Sequence, residues 1–127
     1  MSAIVYISHF RVKEGQFDSL MQLNKMVSEQ IKTNKPGTVA FLQYINDEGT
    51  ELSIIHMFPD AESFDRHIAG ADERASVALE FIEPTRREVY GMPSKRVLEM
   101  LRPSVGSDIA YHIMPHHTGG YIRCEQG

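Results

Sequence analysis

Residues 38–60 of the chain read TVAFLQYINDEGTELSIIHMFPD. Two runs rich in β-branched and aromatic residues, 38–45 and 51–58, flank the sequence NDEG at 46–49. This pattern predicts two antiparallel strands joined by a hairpin loop. The proline and aspartate that follow the second run predict the start of a helix, with Asp60 as its N-cap. The stretch therefore predicts a β-β-α unit.

The segments on either side of this unit continue the alternation of strands and helices. Residues 4–12 predict a first strand, and apolar residues at steps of three and four predict an amphipathic helix over 17–34. After the hairpin, a second helix with an interruption near Gly70 is predicted to continue to Pro84, and 86–92 predict a fourth strand. The order β-α-β-β-α-β is that of the ferredoxin-like α+β fold with an antiparallel sheet.

The rest of the chain predicts a short helix and one more strand. Ser94 is a candidate N-cap for a helix that ends before Pro103, and 109–114 predict an extra strand. We therefore expect a ferredoxin-like domain over 1–102. Residues 103–127 are expected to form a C-terminal extension that packs on the same domain or on a partner copy.

The composition is typical of one soluble globular domain. The chain has 127 residues, 42% of them hydrophobic and 24% charged, with a formal net charge of -4. No basic surplus indicates nucleic-acid or anionic-membrane binding, and no apolar run is long enough to cross a bilayer. The N-terminus shows no signal-peptide pattern, and the single cysteine has no internal partner. We therefore expect a cytoplasmic protein.

The predicted sheet is apolar on both of its faces. On the second strand, Phe41 and Ile45 point to one face, whereas Leu42 and Tyr44 point to the other. Two helices can cover only one face of a four-stranded sheet. A second copy of the chain is the simplest cover for the other face, so we expect a homodimer.

Several segments together carry a family resemblance. They are RVKEG at 11–15, PG at 36–37, MFPDAESF at 57–64 and RHI at 66–68, combined with a helix that contains phenylalanine. Over roughly residues 3–100 the chain resembles the antibiotic-biosynthesis-monooxygenase-type proteins of the dimeric α+β barrel superfamily. The resemblance implies a dimeric barrel built from two ferredoxin-like domains.

The resemblance also implies an activity. Such proteins are oxygenases that act without metal or flavin on quinols, anthrones or similar electron-rich aromatics, in a pocket between the sheet and its helices. An easily ionised phenol can itself reduce oxygen, so the protein has to desolvate the substrate, take its proton and orient it. The expected function is therefore a monooxygenase of a quinol-like or polyphenolic substrate that uses no cofactor.

Two alternatives stay open, because fold alone does not select a chemistry. One is a non-catalytic dimer that binds a small apolar ligand or assists assembly, and the other is a metal- or haem-dependent enzyme that uses the histidines. The haem-degrading members of the superfamily carry an Asn on the first strand and a Trp and a His on the second helix. These positions hold Ser8, His67 and Val77, and the chain has no Trp. Haem breakdown is therefore not expected.

Two histidines are candidates for chemistry in the expected pocket. His67 lies three residues after Phe64 on the predicted helix face that meets the sheet, where the family commonly has His or Trp. An imidazole with a pKa near neutrality can accept a phenolic proton, which makes His67 the candidate catalytic base. The structural alternative is a core histidine. His56 shares an otherwise apolar strand face, so it either has a hydrogen-bond partner or lines a cavity.

Other polar and aromatic side chains are candidates for substrate binding. Ser8 and Gln43 each alternate with apolar residues and could donate or accept one hydrogen bond to a bound oxygen. Tyr44 and Tyr90 are candidate orienting phenols, with aromatic packing or a dimer interface as the alternative. His9 is predicted at an edge or in solvent.

The remaining ionisable residues predict no further site. His112, His116 and His117 have a spacing that can bind a transition metal, but Pro115 breaks helical geometry, so we predict no metal site. We predict no nucleophilic role for Cys124. The charge run that includes Arg86, Arg87 and Glu88 is typical of a solvated face.

Overall fold

Five strands form a single sheet in the structure, a computed structural model that describes residues 3–123 apart from the side chains of 71–73. The strands are β1 (Ile4–Val12), β2 (Ala40–Ile45), β3 (Glu51–Phe58), β4 (Ile82–Tyr90) and β5 (Ala110–Met114). Their order across the sheet is β2-β3-β1-β4-β5. Neighbouring strands are antiparallel except β4 and β5, which are parallel. The ferredoxin-like α+β fold is therefore confirmed, with one strand added.

Helices pack on one face of this sheet, which we call the inner face. They are α1 (Phe17–Asn34), α2 (Ala61–Ile68), α3 (Ala71–Ala78) and α4 (Lys95–Leu101). Leu20 of α1, Phe64 of α2 and Val97 of α4 are buried against inner-face residues of the strands. The alternate strand residues form the outer face. In the described part of the chain, no helix combines the length and the apolar character that a membrane crossing needs.

The hydrophobic core is divided into two clusters. Along β1, Ile4 and Tyr6 belong to one cluster and Val12 belongs to the other. Ser8 lies between them on the same strand face and is buried. Because β1 is the central strand, this polar position lies near the middle of the inner face.

Both predicted N-caps are confirmed. The side chain of Asp60 accepts a hydrogen bond from the backbone N–H of Ser63 at 2.8 Å, and that of Ser94 accepts one from Val97 at 3.2 Å. Each bond satisfies one of the backbone donors that a helix start leaves unpaired. The sequence therefore specifies where α2 and α4 begin.

The second helical region is interrupted as predicted, but β4 begins four residues earlier than expected. Strand β4 starts at Ile82 and includes Pro84, although the sequence predicts a helix that continues to Pro84. Its pairing with β1 shifts by one residue between His9 and Phe10, which leaves Thr85 as an extra residue in a β-bulge. A proline is tolerated at a bulge because the ladder is locally disrupted there.

The predicted C-terminal strand is present as β5. It pairs in parallel with β4 of the same chain, and α4 lies in the connection between the two strands. Tyr111 and Ile113 of β5 pack against the first core cluster. Residues Ala110–Met114 thus extend the same sheet.

Candidate functional site

A cavity of about 330 Å³ lies where the two core clusters separate, between the inner face and the helices. Its lining is mainly apolar and includes residues of α1, α3, and the ends of α2 and α4. Small-molecule sites are typically concave and mainly apolar, with a few polar groups. The polar side chains of this lining are Tyr6, Ser8, Asn24, Gln43, His56, His67, Arg74 and Arg87.

Strand pairing brings the strand-borne polar residues together. Ser8 is paired with Ile54 of β3 and with Arg87 of β4, and Gln43 of β2 is also paired with Ile54. Side chains paired across neighbouring strands lie on the same face, so all of these residues point towards the helices. The Gln43 side-chain oxygen accepts a hydrogen bond from Ser28 of α1 at 2.8 Å.

His56 is held in one orientation on β3. Its side chain is 6% exposed, and its ring stacks on that of Tyr6 at a centroid distance of 4.9 Å. The Nδ1–H of His56 donates to the Tyr6 carbonyl oxygen at 3.0 Å, because a carbonyl can only accept. Burial lowers the pKa of His56 to about 4. The neutral ring therefore has its free lone pair on Nε2.

His67 lies beside His56 at the end of α2. The two rings meet edge to face at a centroid distance of 5.0 Å, and His67 is 5% exposed. Its Nδ1 forms a hydrogen bond of 2.8 Å with the Thr38 hydroxyl. Burial, followed by the charges of His56 and Arg74, lowers the pKa of His67 to about 3. Both imidazoles are thus neutral at neutral pH.

Two arginines supply positive charge to the cavity. Arg87 donates from Nη1 to the carbonyl oxygen of Leu101, at the end of α4, at 2.9 Å. Arg74 donates from Nη2 to the carbonyl oxygen of His67 at 2.6 Å and from Nη1 to that of Ala69 at 3.3 Å. No carboxylate is among the described residues that line the cavity. The described lining of the cavity is therefore electropositive.

Four of the six predicted site residues lie together in this cavity: Ser8, Gln43, His56 and His67. Tyr44 and Tyr90 are not brought to it, because both point to the outer face. Tyr44 is 57% exposed, and the Tyr90 hydroxyl donates to Glu88 at 2.6 Å.

Sequence reasoning missed both arginines and Tyr6. Arg87 was assigned to a solvated charge run, yet it is partly buried and lines the cavity, whereas its neighbour Arg86 is exposed. The strand alternation of Tyr6 with Ser8 was the signal that could have identified the tyrosine. The prediction for His9 was also wrong: its ring is partly buried on the outer face and forms hydrogen bonds with Ser53 and Glu88.

The C-terminal histidines lie away from the cavity. His112 packs near the Tyr90 ring on the outer face, at a centroid distance of 6.1 Å, and His116 and His117 are exposed. Within the described residues, no three His, Cys, Asp or Glu side chains are grouped as a metal site would need. Cys124 lies outside the described residues.

The sheet order, the helices on its inner face and the cavity between them define the ferredoxin-like α+β fold of antibiotic-biosynthesis-monooxygenase-type proteins, as predicted. MupZ from Pseudomonas fluorescens matches with a TM-score of 0.68 at 17% identity, over 94% of this chain and 96% of MupZ. SnoaB, a cofactor-independent oxygenase from Streptomyces nogalater, matches with a TM-score of 0.62 at 14% identity, over 75% of this chain and 97% of SnoaB.

A third solved structure extends this comparison. A protein from Chloroflexus aurantiacus, proposed to be an antibiotic biosynthesis monooxygenase, matches with a TM-score of 0.56 at 14% identity, over 69% of this chain and 90% of that protein. No protein-family model and no curated protein sequence matches the chain. The likeness is therefore one of fold.

Proposed function

We propose that this protein is a monooxygenase that oxidises an electron-rich aromatic substrate, quinol-like or polyphenolic, in the cavity without a metal or flavin. The observation that carries the proposal is the pair of neutral imidazoles, His56 and His67, side by side in a mainly apolar cavity. The fold is also that of SnoaB, which is a cofactor-independent oxygenase.

The first role of the cavity is to separate the substrate from water. Its volume of about 330 Å³ falls within the range of small-molecule sites. Apolar residues of α1 and β3, such as Val27 and Ile54, provide the walls against which an aromatic ring can pack. Exclusion of water strengthens every electrostatic interaction that the polar residues make with the substrate.

The second role is to accept a proton. A neutral imidazole has one unprotonated nitrogen, and His67 is the proposed base, with His56 beside it as an orienting acceptor. Their lowered pKa values make the free rings weak bases. Negative charge that develops on the substrate raises the proton affinity of an adjacent imidazole, and the two arginines stabilise the same charge.

After the proton has been removed, the substrate carbanion or phenolate is oxygenated. The anion transfers an electron to O₂, and the resulting radicals combine to form a carbon–oxygen bond and a hydroperoxide. For an anthrone, the methylene carbon then loses its second hydrogen while the O–O bond breaks. One oxygen atom stays on carbon as a ketone and the other leaves as water, so the substrate supplies all four electrons. Ser8 and Gln43 are placed to orient the substrate oxygens.

The proposal is tested by oxygen uptake with anthrone and with 1,4-naphthohydroquinone at pH 7. We expect uptake that a chelator does not inhibit, with one labelled oxygen atom in the product from ¹⁸O₂. His67→Ala is expected to lower the rate by about 10²–10⁴-fold. His116→Ala, at an exposed position, is the matched control.

Other results would favour the two alternatives. Binding of these aromatics without oxygen uptake would contradict the monooxygenase and favour a ligand-binding protein. Loss of activity on chelation would favour the metal-dependent enzyme.

We also propose that the protein acts as a homodimer through the outer face of the sheet. Leu42, Tyr44 and Met114 are 43%, 57% and 55% exposed there. Their neighbours on the same face include Ile55 and Met57, which are apolar as well. An exposed apolar sheet face of this kind is typical of a protein–protein interface.

A further inference from the structure

The described lining of the cavity carries an unbalanced charge. Arg74 reaches it from α3 and Arg87 reaches it from β4, and the two histidines that line it are neutral at neutral pH. Among the described residues, its lining contains no aspartate and no glutamate. About two positive charges therefore face a mainly apolar space.

Three arginines of the surface are neutralised by a carboxylate. Arg11, Arg66 and Arg86 each form an ion pair with a glutamate. Neither Arg74 nor Arg87 forms an ion pair with any described carboxylate, and their hydrogen bonds go to backbone carbonyl oxygens. Carbonyls hold a guanidinium in position, but they do not neutralise its charge.

The remaining donors of these arginines suit an anion. A guanidinium has five N–H donors, and the observed bonds use one from Arg87 and two from Arg74. A partly buried cation that no described carboxylate neutralises carries a desolvation cost that an anionic ligand can offset. A carboxylate is the ligand group that matches the planar fork of arginine and removes that cost.

We propose that the cavity binds an acidic ligand, an apolar aromatic molecule with one carboxylate held by Arg74 and Arg87. We rest this inference on the proposed function, whose substrate class it narrows to aromatic acids. With the carboxylate at the arginines, the ring lies on the apolar wall and its reacting position is near His56 and His67.

Equilibrium binding of two matched probes tests the ligand class. They are 2-naphthoate and 2-naphthamide, which share one ring system and differ in charge at pH 7. We expect the carboxylate to bind about ten- to a hundredfold more tightly than the amide, because hydrogen bonds to a charged group are worth more than neutral ones. This comparison uses the unmodified protein, so it does not depend on the folding of a variant.

Variants then test the two arginines. Arg74→Gln and Arg87→Gln should each reduce the preference for the carboxylate and leave amide binding unchanged, whereas Arg→Lys at either position should retain part of it. Arg96→Gln, at an exposed position on α4, is the matched control and should bind like the wild type. Circular dichroism of each variant checks that it is folded.

The proposal is overturned if the two probes bind equally, if neither binds, or if the preference survives in both glutamine variants. These outcomes are separate from those of the oxygen-uptake experiment. Carboxylate preference without oxygen uptake would support an acid-binding site and refute the monooxygenase. Oxygen uptake without carboxylate preference would support the monooxygenase and refute the acid-binding site.

Discussion

The buried histidine pair predicts that the protein loses stability in mild acid. His56 and His67 have pKa values of about 4 and about 3 in the folded protein, against an ordinary value of 6.5. Below pH 6.5 the unfolded chain therefore binds protons that the folded protein does not, so the free energy of unfolding falls as the pH falls. Above pH 7 both states hold neutral rings and the effect is absent.

The size of this loss of stability follows from the difference between the pH and the ordinary histidine pKa of 6.5. At pH 5, which is 1.5 units below 6.5, each ring that stays neutral costs about 2 kcal/mol. The pair together costs about 4 kcal/mol between pH 7 and pH 5, a large part of a typical stability of about 5–15 kcal/mol. Asp60 and Glu88 also have lowered pKa values, but from 3.8 and 4.5, so their contribution is lost mainly below pH 5.

Urea denaturation followed by circular dichroism at pH 7, 6 and 5, at one protein concentration, measures this loss. His67→Gln should keep about half of the pH dependence, and His56→Gln likewise. His116→Gln, which changes an exposed ring, should behave like the wild type. A stability that is flat from pH 7 to pH 5, or a His67→Gln slope equal to that of the wild type, would refute the reasoning.

Two further predictions concern the outer face and a tight turn. Leu42→Glu should convert the proposed dimer to a monomer in light scattering. Met26→Glu, at an apolar position on α1 that is also exposed, should leave the dimer intact. A dimer that persists in Leu42→Glu would contradict the interface. Gly91→Ala should lower stability by about 1–3 kcal/mol in thermal unfolding, because φ is +104° and the new Cβ would lie 2.9 Å from the Ala3 carbonyl oxygen. Gly15→Ala, at a positive φ with open space around it, should cost less, and an equal loss in both variants would refute the role of the close contact.

Strand alternation was enough to predict several of the polar residues that line the cavity. Ser8, Gln43 and His56 were each recognised as polar residues on an apolar strand face, and the structure places them around one cavity with His67. The hairpin and the helix caps depend on local residue types, which the sequence displays directly. These parts of the fold could therefore be predicted without tertiary information.

The bulge determines on which face Arg87 and Tyr90 lie. Thr85 adds one residue to β4, and a one-residue shift exchanges the faces of every later side chain. Regular alternation from Ile82 would place Tyr90 on the inner face and Arg87 on the outer face. In the observed register, Arg87 lies on the inner face and Tyr90 lies on the outer face. Arg74 was not predicted at the cavity either. The left-handed Gly70 changes the direction of the chain between α2 and α3, so the helical spacing of α2 does not show which way Arg74 points.

The fifth strand also determines which backbone groups the sheet leaves unpaired. Without β5, the edge of β4 from Arg86 to Tyr90 would present free N–H and C=O groups, which is a template for aggregation through strand addition. In the full chain that edge is covered, and the exposed border moves to β5, a strand of only five residues. A short edge strand offers few groups to another chain. Any edge-to-edge association on this side of the sheet would therefore involve β5 rather than β4, whatever ligand the cavity binds.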